Sequence, residues 1–429
     1  MGLTPGIGTR YDVAVVGGGP AGATAAAFLA RGGLEVACFE RERFPRFHVG
    51  ESLLPAGVPL FERLGIMPRL QAAGFLKKYG AAFIDDVEGR QVLFNFRRGP
   101  AWADHAYNVP RADFDRLLLD QAASEGASVF EGTEVDTIAI EPGAVRLGVR
   151  TDEGGRYPVA ADFLVDASGR DALVASRVGR REPMPSLGKV ALFAHYRGAE
   201  RWPGRTEGHI RIYLFEHGWF WWIPFAGDLT SIGCVLHQSI VKSRHGPVER
   251  LFEDMVAACP SVAAGLARAT RVAGVWRAAN FSYRTQPMIG DRFVAIGDAV
   301  TFVDPIFSTG VHIAMQSAEL AARVIVEALR QGEFRAARFD RYRRRIERGT
   351  RLFFYFIHQY YDPAFLDVFL SEHPPATLRD AVTTVLAGGA FLHRPPWLRL
   401  RLGLVFLAAR FTRYQRRRRG LPVESRLPW

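Results

Sequence analysis

The sequence predicts an α/β protein in which a parallel-sheet domain, assembled from separated stretches of chain, carries an inserted β-sheet domain and a basic helical C-terminal region. Three observations predict it. A buried strand, a glycine turn and an alanine-rich helix open the chain at residues 11–28. A second short strand follows and ends in Glu40, 23 residues after Gly17. Residues 185–285 then turn strand-rich and aromatic. With 429 residues there is room for two or three domains that share interfaces.

In the opening unit Gly17, Gly19 and Gly22 satisfy GxGxxG, with Pro20 and Ala21 between the last two. The first glycine allows the tight turn, the second lets a pyrophosphate approach the backbone, and the third lets helix and strand pack closely. Glu40 is placed to accept hydrogen bonds from an adenosine ribose, and Arg41 follows it. Strand, turn, helix, strand and acid together indicate a dinucleotide site. The loop at residues 41–55 interrupts the α/β alternation, as it would where chain wraps a bound cofactor. It contains His48, a structural hydrogen-bonder or a catalytic group, and Gly50-Glu51-Ser52.

Residues 58–73 have helical periodicity, and residues 75–83 begin a strand on which Lys77 and Lys78 face opposite ways. One of the two should point inward, although spacing alone is also satisfied by a surface pair. A further helix begins near residue 109, with Arg111 where the chain returns to the cofactor domain and can meet a phosphate or ring edge. A meander is expected over residues 128–149, with a turn at residues 141–144. Residues 163–170 form another buried strand ending in an aspartate and a glycine.

The aromatic centre is residues 218–225, Gly-Trp-Phe-Trp-Trp-Ile-Pro-Phe. Trp219 and Trp221 share one strand face, Phe220 and Trp222 the other. The two indoles suit a rigid wall that excludes water, and equally suit core packing. Residues 293–296 read as a strand, followed by Gly297-Asp298, an irregular loop with Pro305, and a helix opening near Gly310. Ser308, Thr309 and Gly310 stand at that helix start, where unpaired N–H groups and the helix dipole suit an anion or an electron-rich ring edge.

Composition excludes several classes. A hydrophobic share of 48% with 23% charged residues is that of an ordinary soluble enzyme. Cys38, Cys234 and Cys259 form no CxxC pair, which argues against a disulfide scaffold or a metal site and for a reducing compartment. With no signal-peptide pattern and no apolar run of membrane-spanning length, the expected location is cytoplasmic. The net charge of +11 lies wholly after residue 330, where 19 Lys or Arg face 8 Asp or Glu. A basic tail on a neutral body does not suit nucleic acid. It points to an acidic protein or a membrane surface met weakly through the amphipathic segment 397–419, which ends in Arg416–Arg419, or it is a solvated helix face.

These residues together resemble the flavin-dependent halogenases, within the FAD monooxygenase superfamily. The resemblance covers roughly residues 10–330 and is carried by the glycine motif, Gly50-Glu51-Ser52-Leu53, Trp219-x-Trp221-x-Ile223-Pro224, and Phe302-x-x-Pro305-x-x-Ser308-x-Gly310. It implies a Rossmann-like FAD-binding domain of the glutathione-reductase and p-hydroxybenzoate-hydroxylase type from residues 1–75, 105–185 and 275–330. Residues 76–104 and 186–274 would form the substrate domain, and 331–429 the basic helical region. FAD would be held by Gly17, Gly19, Pro20, Ala21, Gly22, Glu40, Arg41, Ser52, Arg111, Asp298, Pro305 and Val311. Chloride or bromide would sit at Ser308, Thr309 and Gly310. Trp219, Trp221, Ile223 and Pro224 would separate flavin from substrate. Lys78, by its place before Gly80-Ala81, would be the lysine that receives or orients the oxidised halogen, with Lys77 as the alternative.

In that family reduced flavin and oxygen oxidise the halide to hypohalous acid. The chain has no second GxGxxG unit, so FADH2 is expected from a separate flavin reductase. No acid lies between Thr309 and Gln316, where members acting on free tryptophan carry an orienting glutamate. An electron-rich phenol or pyrrole, free or tethered to an acyl or peptidyl carrier protein, is therefore the expected substrate. Two rivals stand beside this: an FAD monooxygenase, reductase or dehydrogenase that moves no halide, and a membrane-surface or scaffold protein with a vestigial flavin site.

Overall fold

The computed structural model describes residues 6–423 apart from 98, 100, 101, 184–187, 245, 280–282, 303, 390 and 392–395. Its first sheet runs in the order Ile289–Gly290, Phe293–Ala295, Arg156–Asp166, Arg10–Val16, Val36–Phe39, Ser128–Phe130. The strands from Phe293–Ala295 to Ser128–Phe130 pair in parallel. Their buried Val, Ala and Phe runs have the two-sided apolarity a covered parallel sheet needs. Helices Pro20–Arg31, Arg111–Ser124 and Gly310–Gln331 pack together beside it. The expected meander is present as Thr133–Ile140 and Val145–Thr151, closed by the Glu141 N–H donating to the Ala144 carbonyl.

The second sheet runs Thr270–Arg271, Lys189–Arg197, Leu229–His237, Gly218–Pro224, Ile210–Phe215, Gly80–Asp85, Arg90–Asn95. Its two faces bury different cores. Trp219 and Trp221 join the large core that extends into the C-terminal helices, whereas Phe220 and Trp222 pack beneath the helices around Phe252 and Met255.

Two expected elements are broken, each by a local cause. The helix expected over residues 58–73 is two short helices, Val58–Leu64 and Met67–Ala72, because Gly65 ends the first in the left-handed region at φ 83°. The strand expected over residues 75–83 splits at Tyr79. Leu76–Lys78 pairs with Ala106–Asn108, while Gly80–Asp85 joins the large sheet. At Gly80 a Cβ would lie 2.4 Å from the Phe94 carbonyl oxygen and 2.8 Å from the His209 ring, so only glycine lets the chain cross there.

After residue 330 come helices Asp340–Tyr360, Pro363–Phe369, Ala376–Leu386 and Pro396–Arg418. The arginine run that closes the last one is not a uniformly solvated face. Arg416 is buried and pairs with Asp367 at 2.6 Å, and Arg413 pairs with Asp362 at 2.6 Å. Arg417, Arg418 and Arg419 are exposed. Neutralising all four would therefore test anchoring and surface charge together. Among the described residues no helix is long and apolar enough to cross a membrane.

Candidate active site

At Gly17 and Gly22 the glycine turn is sterically closed to any side chain. Gly17 has φ 102°, and a Cβ on it would lie 2.4 Å from the Ala167 carbonyl oxygen; a Cβ on Gly22 would lie 1.8 Å from the Gly17 carbonyl oxygen. Pro20 opens helix Pro20–Arg31, where its missing N–H costs nothing, and Ala21 is buried beside it. Glu40 is buried and accepts from the Gly18 N–H at 2.7 Å and from the Glu42 N–H at 2.9 Å. Arg41 is exposed and pairs with Asp171. Gly22→Ala should therefore abolish FAD retention; purified protein with normal flavin absorbance would contradict this.

Arg111 is buried and held along two edges of its planar guanidinium. It donates to Asp115 at 2.7 and 2.8 Å and to the Val49 carbonyl at 2.7 Å. Arg46 lies 3.5 Å from Asp115 Oδ2, and its guanidinium is 3.3 Å from where a Gly19 Cβ would stand. Arg46 thus reaches from Asp115, which Arg111 also holds, to the glycine turn. Asp115 and Arg46 were not anticipated; the i,i+4 spacing of Arg111 and Asp115 was the available signal.

Asp298 follows Gly297, whose Cβ would lie 2.9 Å from Ala21 and 3.4 Å from Ala314, so this segment is wedged between the two cofactor-domain helices. Burial pushes the Asp298 carboxyl up to about 6, against the pull of Arg111 and Arg170. Gly50, at φ 104°, faces both Arg111 and Val311. One region is therefore bounded by Gly17–Gly22, Arg111, Asp298 and Val311, with Glu40 at the glycine-turn end. A side-chain-free turn, a ribose-side carboxylate and a held guanidinium fit FAD.

Lys78 stands two residues of chain beyond that region. Gly50 touches its edge, and Ser52 Oγ accepts from Lys78 Nζ at 2.9 Å, so at most about 7 Å of backbone separates the two contacts. Ser52, expected at the cofactor, is engaged by the lysine. Of the lysine pair, Lys77 is exposed and Lys78 is 1% exposed. Burial pulls the Lys78 ammonium down to about 7. Phe96 lies 5.5 Å beneath it. Burial, followed by Lys78 and Arg211, holds His209 down at about 4, so a neutral imidazole accompanies the amine. Glu51, 1% exposed, holds His195 at 2.9 Å through one oxygen, while its other oxygen has no partner among the described residues. His48 Nδ1 donates to the Val49 carbonyl at 2.8 Å, the contact of a structural hydrogen-bonder.

At the far loop, Pro305–Phe307 form a single tight turn and Ser308 takes φ 56°. Thr309 is fully buried, and its hydroxyl has no partner among the described residues. Gly310 and Val311 begin a helix of 22 residues. An orphan buried hydroxyl at the positive end of a long helix dipole suits a small anion. Asp304, inside the motif and also unanticipated, accepts from the Ile306 N–H at 3.1 Å and from the Tyr361 hydroxyl at 2.8 Å. Tyr361 in turn accepts from the Trp219 indole at 3.0 Å. Lys189 Nζ lies 4.4 Å over the Tyr361 ring. The Trp221 indole donates to Ser231 at 3.1 Å. Ile223 and Pro224 are buried in the same strand, whose end is fixed by Asn108 donating to the Pro224 carbonyl at 3.0 Å.

A parallel sheet with this glycine turn and carboxylate defines a dinucleotide-binding protein, and residues 10–352 match the FAD binding domain family, which makes it a flavoprotein. The chain is 36% identical to the 1H-pyrrole-2-carbonyl-[peptidyl-carrier protein] chlorinase of Pseudomonas fluorescens, across 82% of this chain and 83% of that one. It is 34% identical to the tryptophan 2-halogenase of Chondromyces crocatus, across 79% of this chain and 65% of that one. Among solved structures, the flavin-dependent brominase Bmp2 superposes with a TM-score of 0.84 at 29% identity, covering 94% of this chain and 100% of that one. A flavoprotein/dehydrogenase from Cytophaga hutchinsonii gives 0.87 at 27% identity, covering 95% and 99%. The chain belongs to the flavin-dependent halogenases: it is an FAD-dependent oxidoreductase that consumes chloride or bromide.

Proposed function

We propose that this halogenase acts on a pyrrole or a comparably electron-rich ring delivered as a carrier-protein thioester, with Lys78 governing transfer of the halogen. The carrying observation is Lys78 itself, a buried amine with its affinity for protons lowered to about 7 and one hydrogen bond spent on Ser52. Bound FAD, reduced by a separate reductase, supplies the oxidising chemistry with oxygen. Ser308, Thr309 and Gly310 hold the halide at the helix start. Trp219 and Trp221, both nearly fully buried, keep water and substrate from the cofactor side.

The remaining steps belong to the chain's own residues. In its ammonium form Lys78 donates a hydrogen bond to the oxygen of hypohalous acid. The halogen passes to a ring carbon as the halogen–oxygen bond breaks, the ring loses a proton, and the oxygen leaves as water. An acid titrating near neutrality is well matched to that donation. Turnover should therefore fall as pH rises above about 7.

The carrier-bound substrate is supported by the relation to the Pseudomonas chlorinase and by the absence of an acid between Thr309 and Gln316. Purified protein with FAD, a flavin reductase and chloride or bromide should halogenate pyrrole-2-carbonyl on a carrier protein faster than free pyrrole-2-carboxylate, phenol or tryptophan, as read by intact mass. Equal rates would remove the carrier. Hydroxylated product without halogen would favour a monooxygenase.

A further inference from the structure

Helix Pro396–Arg418 is anchored by one face only. Leu398, Leu402, Val405 and Ala409 are buried against helices Pro363–Phe369 and Ala376–Leu386. The opposite face carries Trp397, Leu400, Leu404, Leu407, Phe411 and Tyr414, each 39–68% exposed. Their spacings alternate between three and four residues along the whole helix, which is the seam of a coiled coil. Such a seam takes two positions in seven. It is narrower than the broad apolar sector a helix needs to lie in a lipid interface.

The positions flanking the seam decide its partner. One flank carries Arg401, Ala408 and Gln415, and the other Gly403, Arg410 and Arg417. Residues 396–420 contain eight arginines and no Asp or Glu. The two inward arginines are neutralised by Asp362 and Asp367. A second copy of this helix would bring more positive charge to the seam and no acid to meet it. A helix with Asp or Glu beside its own apolar seam would neutralise the flanks while covering the exposed row.

We propose that this face docks an acidic amphipathic helix of a partner protein. The proposal concerns binding alone and stands whether or not substrate arrives on a carrier. The probe is a fluorescent four-heptad synthetic peptide with Leu at the seam and Glu at both flanks, titrated into the FAD-bound full chain. The Glu peptide should bind at least about tenfold more tightly than the same peptide with Lys flanks, and should weaken as salt screens the flanks. Leu400→Gln with Leu407→Gln, both fully on the exposed face, should abolish binding while flavin content and melting temperature hold. The proposal is overturned if the two peptides bind alike or the double variant binds normally. It is also overturned if the protein sediments as a dimer lost on the same double substitution, or prefers anionic phospholipid vesicles to the peptide.

Discussion

Lys78→Met should leave FAD bound, lower halogenation by roughly 10²–10⁴-fold, and at the same time make the protein more stable at and below neutral pH. The first part follows from removing the hydrogen-bond donor that Ser52 aligns in that pocket. The second follows from where the lysine titrates. In the unfolded chain Nζ keeps its proton up to an ordinary 10.5, whereas in the folded protein it releases it near 7. Between those values the unfolded chain binds more protons, so stability rises with pH across that window. Below about 7 both states carry the charge, and the cost of burying it is felt in full. That cost is on the order of 5 kcal/mol. Methionine fills a similar volume without charge. Its gain in melting temperature should be largest at and below pH 7 and should shrink toward pH 10. Retained halogenation would remove Lys78 from the reaction, and a gain independent of pH would mean that burial of charge is not what lowers its titration.

The parts of the site legible in the sequence are those whose chemistry is local in the chain. Gly17, Gly19 and Gly22 are constrained by a turn of six residues, and the 3.6 and 2.0 periods place Glu40 and the tryptophans without knowledge of what they touch. The same period-2 argument puts Lys77 and Lys78 on opposite faces but leaves a surface pair open and does not say which would turn inward, because the choice is made by Ala106–Asn108 and Ser52, far away in sequence. Asp115 carries a local signal in its i,i+4 spacing from Arg111, whereas Arg46, His195 and Tyr361 have none, for one reason. Each acts by meeting a residue brought to it by the fold, Tyr361 across 57 positions from Asp304 and 142 from Trp219. Asp304 lies inside the loop motif, whose spacing fixes Phe302, Pro305, Ser308 and Gly310 and says nothing of the residues between them. The breaks at Gly65 and Tyr79 have the same origin. Periodicity continues through both, and only a left-handed turn in one case and a crossing backbone in the other interrupts the element.

Tyr361→Phe should uncouple halogen production from halogen transfer. The hydroxyl removed links Trp219, of the proposed wall, to the loop proposed to hold halide, since it accepts from the Trp219 indole and donates to Asp304. All three groups are buried, so the substitution leaves the indole N–H and a carboxylate oxygen unsatisfied, at about 1–3 kcal/mol each. Burial already pushes the Asp304 carboxyl up, with Lys189 and the Tyr361 hydrogen bond holding it down. Losing that bond drives Asp304 further toward its neutral form. Its other oxygen caps the turn Pro305–Phe307 through the Ile306 N–H, immediately before Ser308 and Thr309. A weaker cap there loosens the proposed halide cradle while a freed indole loosens the wall above it. FAD content should be unchanged. Oxygen consumption should persist, halogenated product per oxygen should fall several-fold, and more oxidised halogen should escape to a chlorination-sensitive dye in solution. Trp219→Phe alone should show the same leak, and adding it to Tyr361→Phe should do little more, because both cut one chain of hydrogen bonds. Additive losses, or an unchanged yield of product per oxygen, would show that the two bonds merely pack the core and do not seal the site.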